Sequence, residues 1–272
     1  MLILGAIAIG FAPIGLRLSQ FGPQATGFWR FFFALPFIAM VIYAQGGKLG
    51  RPSMLALIAG TLFGLDIAFW HASLTLTSVA NATFIVNLGN AAVGLVAWIA
   101  LKERPSKVWP VAIGVALLGA LFLSLGAKGA RPGALQGDIL ALVAAVMVGL
   151  YLFVAKLARR AEPAMNVLFW STAATLVVSA IAAAVRHERL DPPDWTWLIA
   201  PFFLAVIAHV LGQGLIVAGV GRTPAAVAGV LLLIQPVAAG LIAWPLFGEA
   251  LTPVQLAGAA LILAGVWLAG RR

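Results

Sequence analysis

The residues best placed to do chemistry are polar groups set inside long apolar runs. Asp66, Trp70 and His71 lie in the run Ser53–Leu74. Asp66 and Trp70 are four apart and share a helical face, which Ser73 and Thr77 extend; His71 sits one step round. Such a wall offers a carboxylate, an aromatic platform and a ring that titrates near pH ~6.5 when unperturbed. Thr83, Asn87 and Asn90 follow at spacings of four and three and form one polar stripe. Amides both donate and accept, so the stripe suits either end of a zwitterion. His209 and Gln213 are again four apart, Gln235 precedes Pro236, and Tyr151 supplies a hydroxyl on a ring. Pro236 has no N–H, which frees a carbonyl one turn back for a substrate amine. Polar groups at membrane depth are costly, so these ten residues are the expected substrate-binding set. Hydrogen bonding between helices is the competing reading of each.

The same inventory argues against other chemistry. There is no Cys, so thiolate zinc sites, disulfides and thiol nucleophiles are excluded. The three histidines form no His-Glu-x-x-His pattern, and no Gly-x-x-x-x-Gly-Lys-Ser/Thr loop occurs. No cofactor, metal site or catalytic residue is expected, and the chain is not read as an enzyme. No spacing supports a serine nucleophile beside His71 or His209. A pore would need a ring of like groups, which the pattern does not suggest.

Composition says what surrounds these residues. Of 272 residues, 63% are hydrophobic and 9% charged, against about 25% charged in soluble domains. That is too little charge to cover a water-facing surface. The net charge of +9 is read as positive loops on one side of a membrane, not as a nucleic-acid footprint. Met1-Leu2-Ile3-Leu4 lacks a basic leader and is not read as a cleaved signal.

A spanning helix needs roughly 20 mostly apolar residues. Breaks at charges, Pro and Gly leave ten such runs. The first five are Leu2–Ser19, Gln24–Ala44, Ser53–Leu74, Ser78–Leu101 and Lys107–Leu125. The second five are Leu135–Leu157, Ala164–Val185, Trp195–Val217, Thr223–Phe247 and Thr252–Ala269. The expected fold is an all-α integral membrane protein of ten transmembrane helices.

The chain also repeats itself. Ser78-Val79-Ala80-Asn81-Ala82, Gly94-Leu95-Val96-Ala97-Trp98 and Glu103 return as Pro224-Ala225-Ala226-Val227-Ala228, Gly240-Leu241-Ile242-Ala243-Trp244 and Glu249, always 146 positions later. Between Ala80 and Gly119, 11 of 40 positions are identical at that offset. Trp98/Trp244 and Glu103/Glu249 are matches that apolar composition alone does not produce. Five spans per copy would make the second copy inverted, an architecture of secondary transporters whose site lies between the halves. The expected units are residues 1–126 and 134–272.

With both termini in the cytoplasm, 11 of 17 basic residues fall inside, among them Lys102, Lys156, Arg160 and Arg222. Arg17, Arg30, Lys128, Arg131, Arg186 and Arg189 fall outside. Glu103 then lies inside and Glu249 outside, so charge and repeat agree. Arg17 and Arg30 are expected to snorkel to headgroups from outer helix ends. Glu103 and Glu249 are expected to cap helices or pair with loops. Tryptophans other than Trp70 are expected in interfacial belts. Glycines such as Gly60, Gly89, Gly119 and Gly258 are read as close-packing points. Pro13, Pro36, Pro201, Pro236 and Pro245 are expected to kink their spans.

The run Ala72-Ser73-Leu74-Thr75-Leu76-Thr77-Ser78-Val79-Ala80 leads through a span to Lys102-Glu103-Arg104. Ala218-Gly219-Val220-Gly221-Arg222-Thr223-Pro224-Ala225-Ala226 leads through Gln235-Pro236 to Phe247-Gly248-Glu249. This resembles the signature of EamA domains in the drug/metabolite transporter superfamily, in particular the bacterial YddG-type amino acid exporters. The first copy departs from it with Asn90 in place of Pro236 and Lys102-Glu103 in place of Gly-Glu, so its kink is expected on one side only. The resemblance implies two inverted halves, with the first, third and fourth helices of each lining a cavity and the second and fifth peripheral. It implies export of small amphipathic metabolites, foremost aromatic and other neutral amino acids, by alternating access, in a bacterial inner membrane. Expected partners are that small molecule, membrane lipid and protons, with coupling through Asp66 or His71. Efflux of lipophilic cations against Asp66 is the alternative.

Overall fold

The computed structural model describes residues 1–77, 79–125, 135–248 and 250–270, with the side chains of 79–81 outside the description. Ser78, Lys128, Arg131, Glu249, Arg271 and Arg272 therefore lie outside the described residues. The described elements are helical. They are α1 (Leu2–Ile9), α2 (Ala12–Leu18), α3 (Pro23–Ala44), α4 (Met54–Leu74), α5 (Val79–Leu101) and α6 (Trp109–Leu125). Then follow α7 (Leu135–Ala158), α8 (Ala164–Val185), α9 (Ile199–Phe203), α10 (Gly214–Val220), α11 (Ala225–Leu232), α12 (Ile234–Phe247) and α13 (Pro253–Ala269). A 3₁₀ turn (Trp195–Leu198) precedes α9, and a π-helix (Leu204–Gln213) joins α9 to α10.

Each of the ten expected runs is occupied by a helix or by a broken helix. Seven are long and apolar enough to cross a membrane, and three apolar helices are shorter, Leu2–Leu18, Trp109–Leu125 and Pro253–Ala269. Large apolar side chains such as Ile99, Met54 and Trp195 face outward with no partner, as they would in lipid. The molecule is a multi-pass membrane protein.

Proline sets the breaks. α1 stops at Ile9, four residues before Pro13, and α11 stops at Leu232, four residues before Pro236. In each case the proline cannot donate to that residue's carbonyl, so the helix ends there and restarts. α5, with Asn90 in the corresponding place, runs unbroken, as its departure from the motif predicts. The two breaks meet: a Cβ on Gly10 would lie 2.7 Å from that of Ala238. Pro36 and Pro245 are accommodated inside α3 and α12.

The two halves interleave rather than stand apart. α4 packs on α7 and α8, α5 on α7 and α11, α3 on α8, and α6 on α13. Small residues permit this. A Cβ on Gly60 would reach the Ser171 carbonyl, one on Gly89 that of Ala145, and one on Gly229 that of Asn90, each at 2.0 Å. The α6–α13 crossing has a built-in correspondence. Gly119 abuts the Gly258 carbonyl, and shifting both partners by the 146-residue period gives Gly265 against the Ala112 carbonyl, which also meet.

Tryptophans divide between two jobs. Trp98 and Trp244, mates in the repeat, are each 46% exposed near helix ends, as an interfacial belt requires. Trp29, Trp109 and Trp170 instead donate their indole N–H to the Leu190, Ala226 and Gly50 carbonyls, and so pin loops and helix starts.

Candidate functional site

A buried polar cluster lies where α3, α4, α7, α8 and the π-helix converge. On α3 the buried face reads Gly27, Arg30, Phe31, Ala34 and Ile38, at helical spacing, while Phe32, Met40 and Tyr43 point outward. Arg30 is therefore turned into the bundle and is only 7% exposed, which overturns the expectation that it snorkels to headgroups. α3 thus keeps an outward face, as the expectation of a peripheral second helix has it, but turns Arg30 and Phe31 inward. Arg17 is exposed, with its guanidinium 4.2 Å from the centre of the Phe247 ring.

α4 supplies Phe63, Asp66, Trp70 and His71. Asp66 and His71 are buried. The Trp70 and His71 rings meet at a tilt of 37°, with centres 5.3 Å apart. Ser73 and Thr77 do not extend this wall: Ser73 bonds back to the Trp70 carbonyl at 2.7 Å, and Thr77 donates to Asp138 at 2.9 Å. From the second half come Tyr151 on α7, Thr172 and Ser179 on α8, and His209 and Gln213 on the π-helix. Gln213 Nε2 donates to Tyr151 Oη, and Thr172 Oγ1 lies 2.7 Å from His209 Nε2. Thr172 also donates to the Leu168 carbonyl. A hydroxyl has one proton, so the arrangement that satisfies both contacts puts a proton on His209 Nε2 and leaves Nδ1 an acceptor. His209 and Gln213 are both buried on the π-helix, a winding found most often at functional sites.

Aromatic rings floor the cluster. Phe31 meets His209 edge-on at 4.9 Å, and Phe63 lies 4.9 Å from Tyr151 and 6.1 Å from His209. Arg30 is within electrostatic range of His71 and His209, and Asp66 of Tyr151. Among the described residues several buried polar atoms have no hydrogen-bond partner: Arg30 Nε, Asp66 Oδ1, Trp70 Nε1, His71 Nδ1, Ser179 Oγ and His209 Nδ1. Buried polar atoms are nearly always paired, which makes their concentration in one cluster the candidate site.

Of the ten expected residues, the structure brings Asp66, Trp70, His71, Tyr151, His209 and Gln213 together. Thr83, Asn87 and Asn90 are elsewhere occupied: Asn87 donates to the Thr83 carbonyl at 2.8 Å, and Asn90 donates to Asn87 Oδ1 at 3.1 Å. Gln235 is half-buried at the break between α11 and α12, away from these contacts. Arg30 was read from sequence as a snorkelling side chain and not as part of the site, and Phe31, Phe63, Thr172 and Ser179 were not singled out. Depth could have found Arg30: it lies seven residues into α3, about 10 Å along the axis at ~1.5 Å per residue, too deep for a helix end.

A second cluster closes the end of the bundle that holds Met1. Glu103, just after α5, lies 3.3 Å from Lys156 Nζ and 3.7 Å from Arg160, and accepts from the Ala225 N–H at the start of α11. Lys156 donates to the Thr223 carbonyl at 2.7 Å. Glu103 thus pairs and caps, as expected, and ties α5, α7 and α11 together. A cavity of about 380 Å³ opens beside it, lined by Glu103, Arg104, Lys156 and Arg222 among others. Burial and the neighbouring Arg222 charge push the Arg159 guanidinium below its usual range there, against a smaller upward pull from Glu162.

Comparison with known proteins places this geometry. A solved crystal structure superposes with a TM-score of 0.84 at 20% identity, covering 99% of this chain and 95% of its own, and so shares the fold. An uncharacterized transporter of Archaeoglobus fulgidus is 29% identical over 96% of this chain and 81% of the relative. A protein of Salmonella typhimurium described as a probable amino-acid metabolite efflux pump is 29% identical over 98% of this chain and 92% of the relative. The model of the EamA-like transporter family matches residues 1–125 and 135–271. A multi-pass helical chain matched from end to end by a transporter family leaves one assignment: this protein belongs to the EamA-like transporter family.

Proposed function

We propose that this protein is a secondary transporter that exports small amphipathic metabolites, foremost aromatic and other neutral amino acids, by alternating access around a site midway across the membrane. The observation that carries the reading is the buried cluster of unpartnered polar atoms, drawn from α3 and α4 of the first half and α8 and the π-helix of the second. A site shared by two bodies is reshaped when one moves against the other. The Salmonella relative's description as an amino-acid metabolite efflux pump supports the substrate class.

Ten spans in two inverted halves, residues 1–126 and 134–272, are part of the same reading. The 146-residue repeat supports it, and so does the α6–α13 crossing, whose contacts map onto one another under that period. The three shorter helices would span by local thinning of the bilayer or by flanking polar ends. Both termini are placed in the cytoplasm and the protein in the inner membrane. Asp66, Trp70, His71, Tyr151, His209 and Gln213 hold the substrate, and Asp66 and His71 carry any coupled proton. Thr83, Asn87, Asn90 and Gln235 lie along the path that opens when α5 and α11–α12 move.

The test is uptake of a labelled amino-acid panel into liposomes containing the purified protein, with and without a proton gradient. Saturable counterflow supports a carrier; single-channel currents would overturn it. Competition by a quaternary amine and not by amino acids would replace this substrate class with lipophilic cations. Coupling is refuted if transport ignores the gradient and survives His71→Ala and Asp66→Asn.

A further inference from the structure

We propose that Arg30 anchors a substrate carboxylate, so that the buried cluster selects carboxylate-bearing molecules and rejects cations that lack one. The proposal rests on the transporter reading and narrows its substrate class. Arg30 carries five N–H donors and a permanent charge. Among the described residues it makes no ion pair, its Nε has no hydrogen-bond partner, and it is buried in the bundle. Its guanidinium carbon lies 5.3 Å from the centre of the Phe31 ring. The titratable rings in range, His71 and His209, supply no negative charge. A buried cation left unmatched is strongly destabilising, and a carboxylate arriving in a bidentate pair removes that penalty.

The surroundings add further polar groups. One turn before Arg30 stands Gly27, and the His71 ring, the Phe31 ring and Ser179 Oγ each lie 3.8 Å from where a Cβ would be. Ser179 and Trp70 add unpartnered donors, while Asp66 Oδ1 is an unpartnered acceptor. Asp66 on α4, Arg30 on α3 and the Phe31 and Phe63 rings, 6.0 Å apart, belong to one buried cluster. A cation, unpartnered donors, a carboxylate and apolar rings in one cluster match a zwitterion with an apolar side chain. A lipophilic cation would meet Asp66 but would leave Arg30 unneutralised and add a like charge nearby.

The experiment measures binding of four probes to the unaltered protein by titration calorimetry, and their counterflow in liposomes. The probes are L-phenylalanine, 3-phenylpropanoate, 2-phenylethylamine and L-phenylalaninamide. The two carboxylates are expected to bind at least about 30-fold more tightly than the amine and the amide, the scale of a lost buried charge pair. Arg30→Lys keeps the preference at reduced affinity, and Arg30→Gln abolishes it. If the amine or amide binds as tightly as the carboxylates, or neither carboxylate binds, the anchor is refuted without recourse to a variant. If 3-phenylpropanoate is carried and phenylalanine is not, the amino-acid reading fails and the anchor stands. If 2-phenylethylamine alone is carried, the anchor fails and the carrier reading stands.

Discussion

Lys102 and Gly248 stand one repeat period apart, each directly after the last residue of its helix, α5 or α12, and both take left-handed φ, 56° and 68°. Glycine adopts that conformation freely; a residue with a Cβ gives up roughly 1–2 kcal/mol there. The turn is needed, because it brings the Glu103 N–H back toward the Ala97 carbonyl at 3.4 Å and aims the Glu103 carboxylate at Lys156. Lys102 is exposed and makes no described contact, so removing its side chain deletes little but the strain. Glycine also loosens the unfolded chain, which offsets part of the gain at ~0.4–1 kcal/mol. Lys102→Gly is therefore expected to stabilise by about 0.5–1 kcal/mol, a rise of roughly 1–4 °C in Tm for a chain of this size. Gly248→Ala is the converse, and because a Cβ there meets nothing within 4 Å, its cost is purely conformational. It should destabilise by about 1 kcal/mol. Thermal unfolding in detergent, followed by tryptophan fluorescence, reads both variants in one assay. A fall in Tm for Lys102→Gly, or no change for Gly248→Ala, would refute the strain argument.

Because the chain has no native Cys, single cysteines report without background. Cysteines at Lys102 and Gly248 should be labelled by an impermeant maleimide from opposite sides of the membrane; labelling from one side ends the inverted-repeat reading. Glu103→Gln removes the charge that holds Lys156 and Arg160 and should raise the labelling rate of Ala226→Cys several-fold; an unchanged rate would show that the ion pairs do not hold that end shut. Trp109→Phe leaves the buried Ala226 carbonyl without its 2.9 Å donor and should cost about 1–3 kcal/mol in the same unfolding assay. Gly119→Leu drives a side chain into the Gly258 carbonyl, 2.5 Å from the Cβ position, and should cost at least about 2 kcal/mol or prevent purification of a monodisperse protein.

Helix positions were legible because hydropathy marks long apolar runs directly, and each expected run holds a helix or a broken helix, seven of them long enough to span. The break in α11–α12 was legible from Pro236, and the unbroken α5 from Asn90, since a missing N–H is a local fact. The π-helix at Leu204–Gln213 was not, because its winding is set by what packs on it and not by its own residues. The buried cluster was half legible. Asp66, His71 and His209 are rare types at depth and announce themselves. Phe31 and Phe63 are ordinary apolar residues whose role appears only when α3 and α4 meet the second half. Arg30 was misjudged because its long side chain permits two destinations, and only the face it shares with Gly27 and Phe31 chooses between them. The amide stripe on α5 was real as a pattern, but its members satisfy one another, which spacing alone does not reveal.

The adjoining interruptions at Gly10 and Leu233 have a mechanical consequence. Two neighbouring rods each lack a backbone tether where they touch, so a bend in either is easier there than along an unbroken helix. Tilting α2 and α12 would leave the lower pieces seated and disturb few side-chain contacts, provided position 10 stays small enough for the rods to slide past each other. Bulk at that one position would stiffen both rods together.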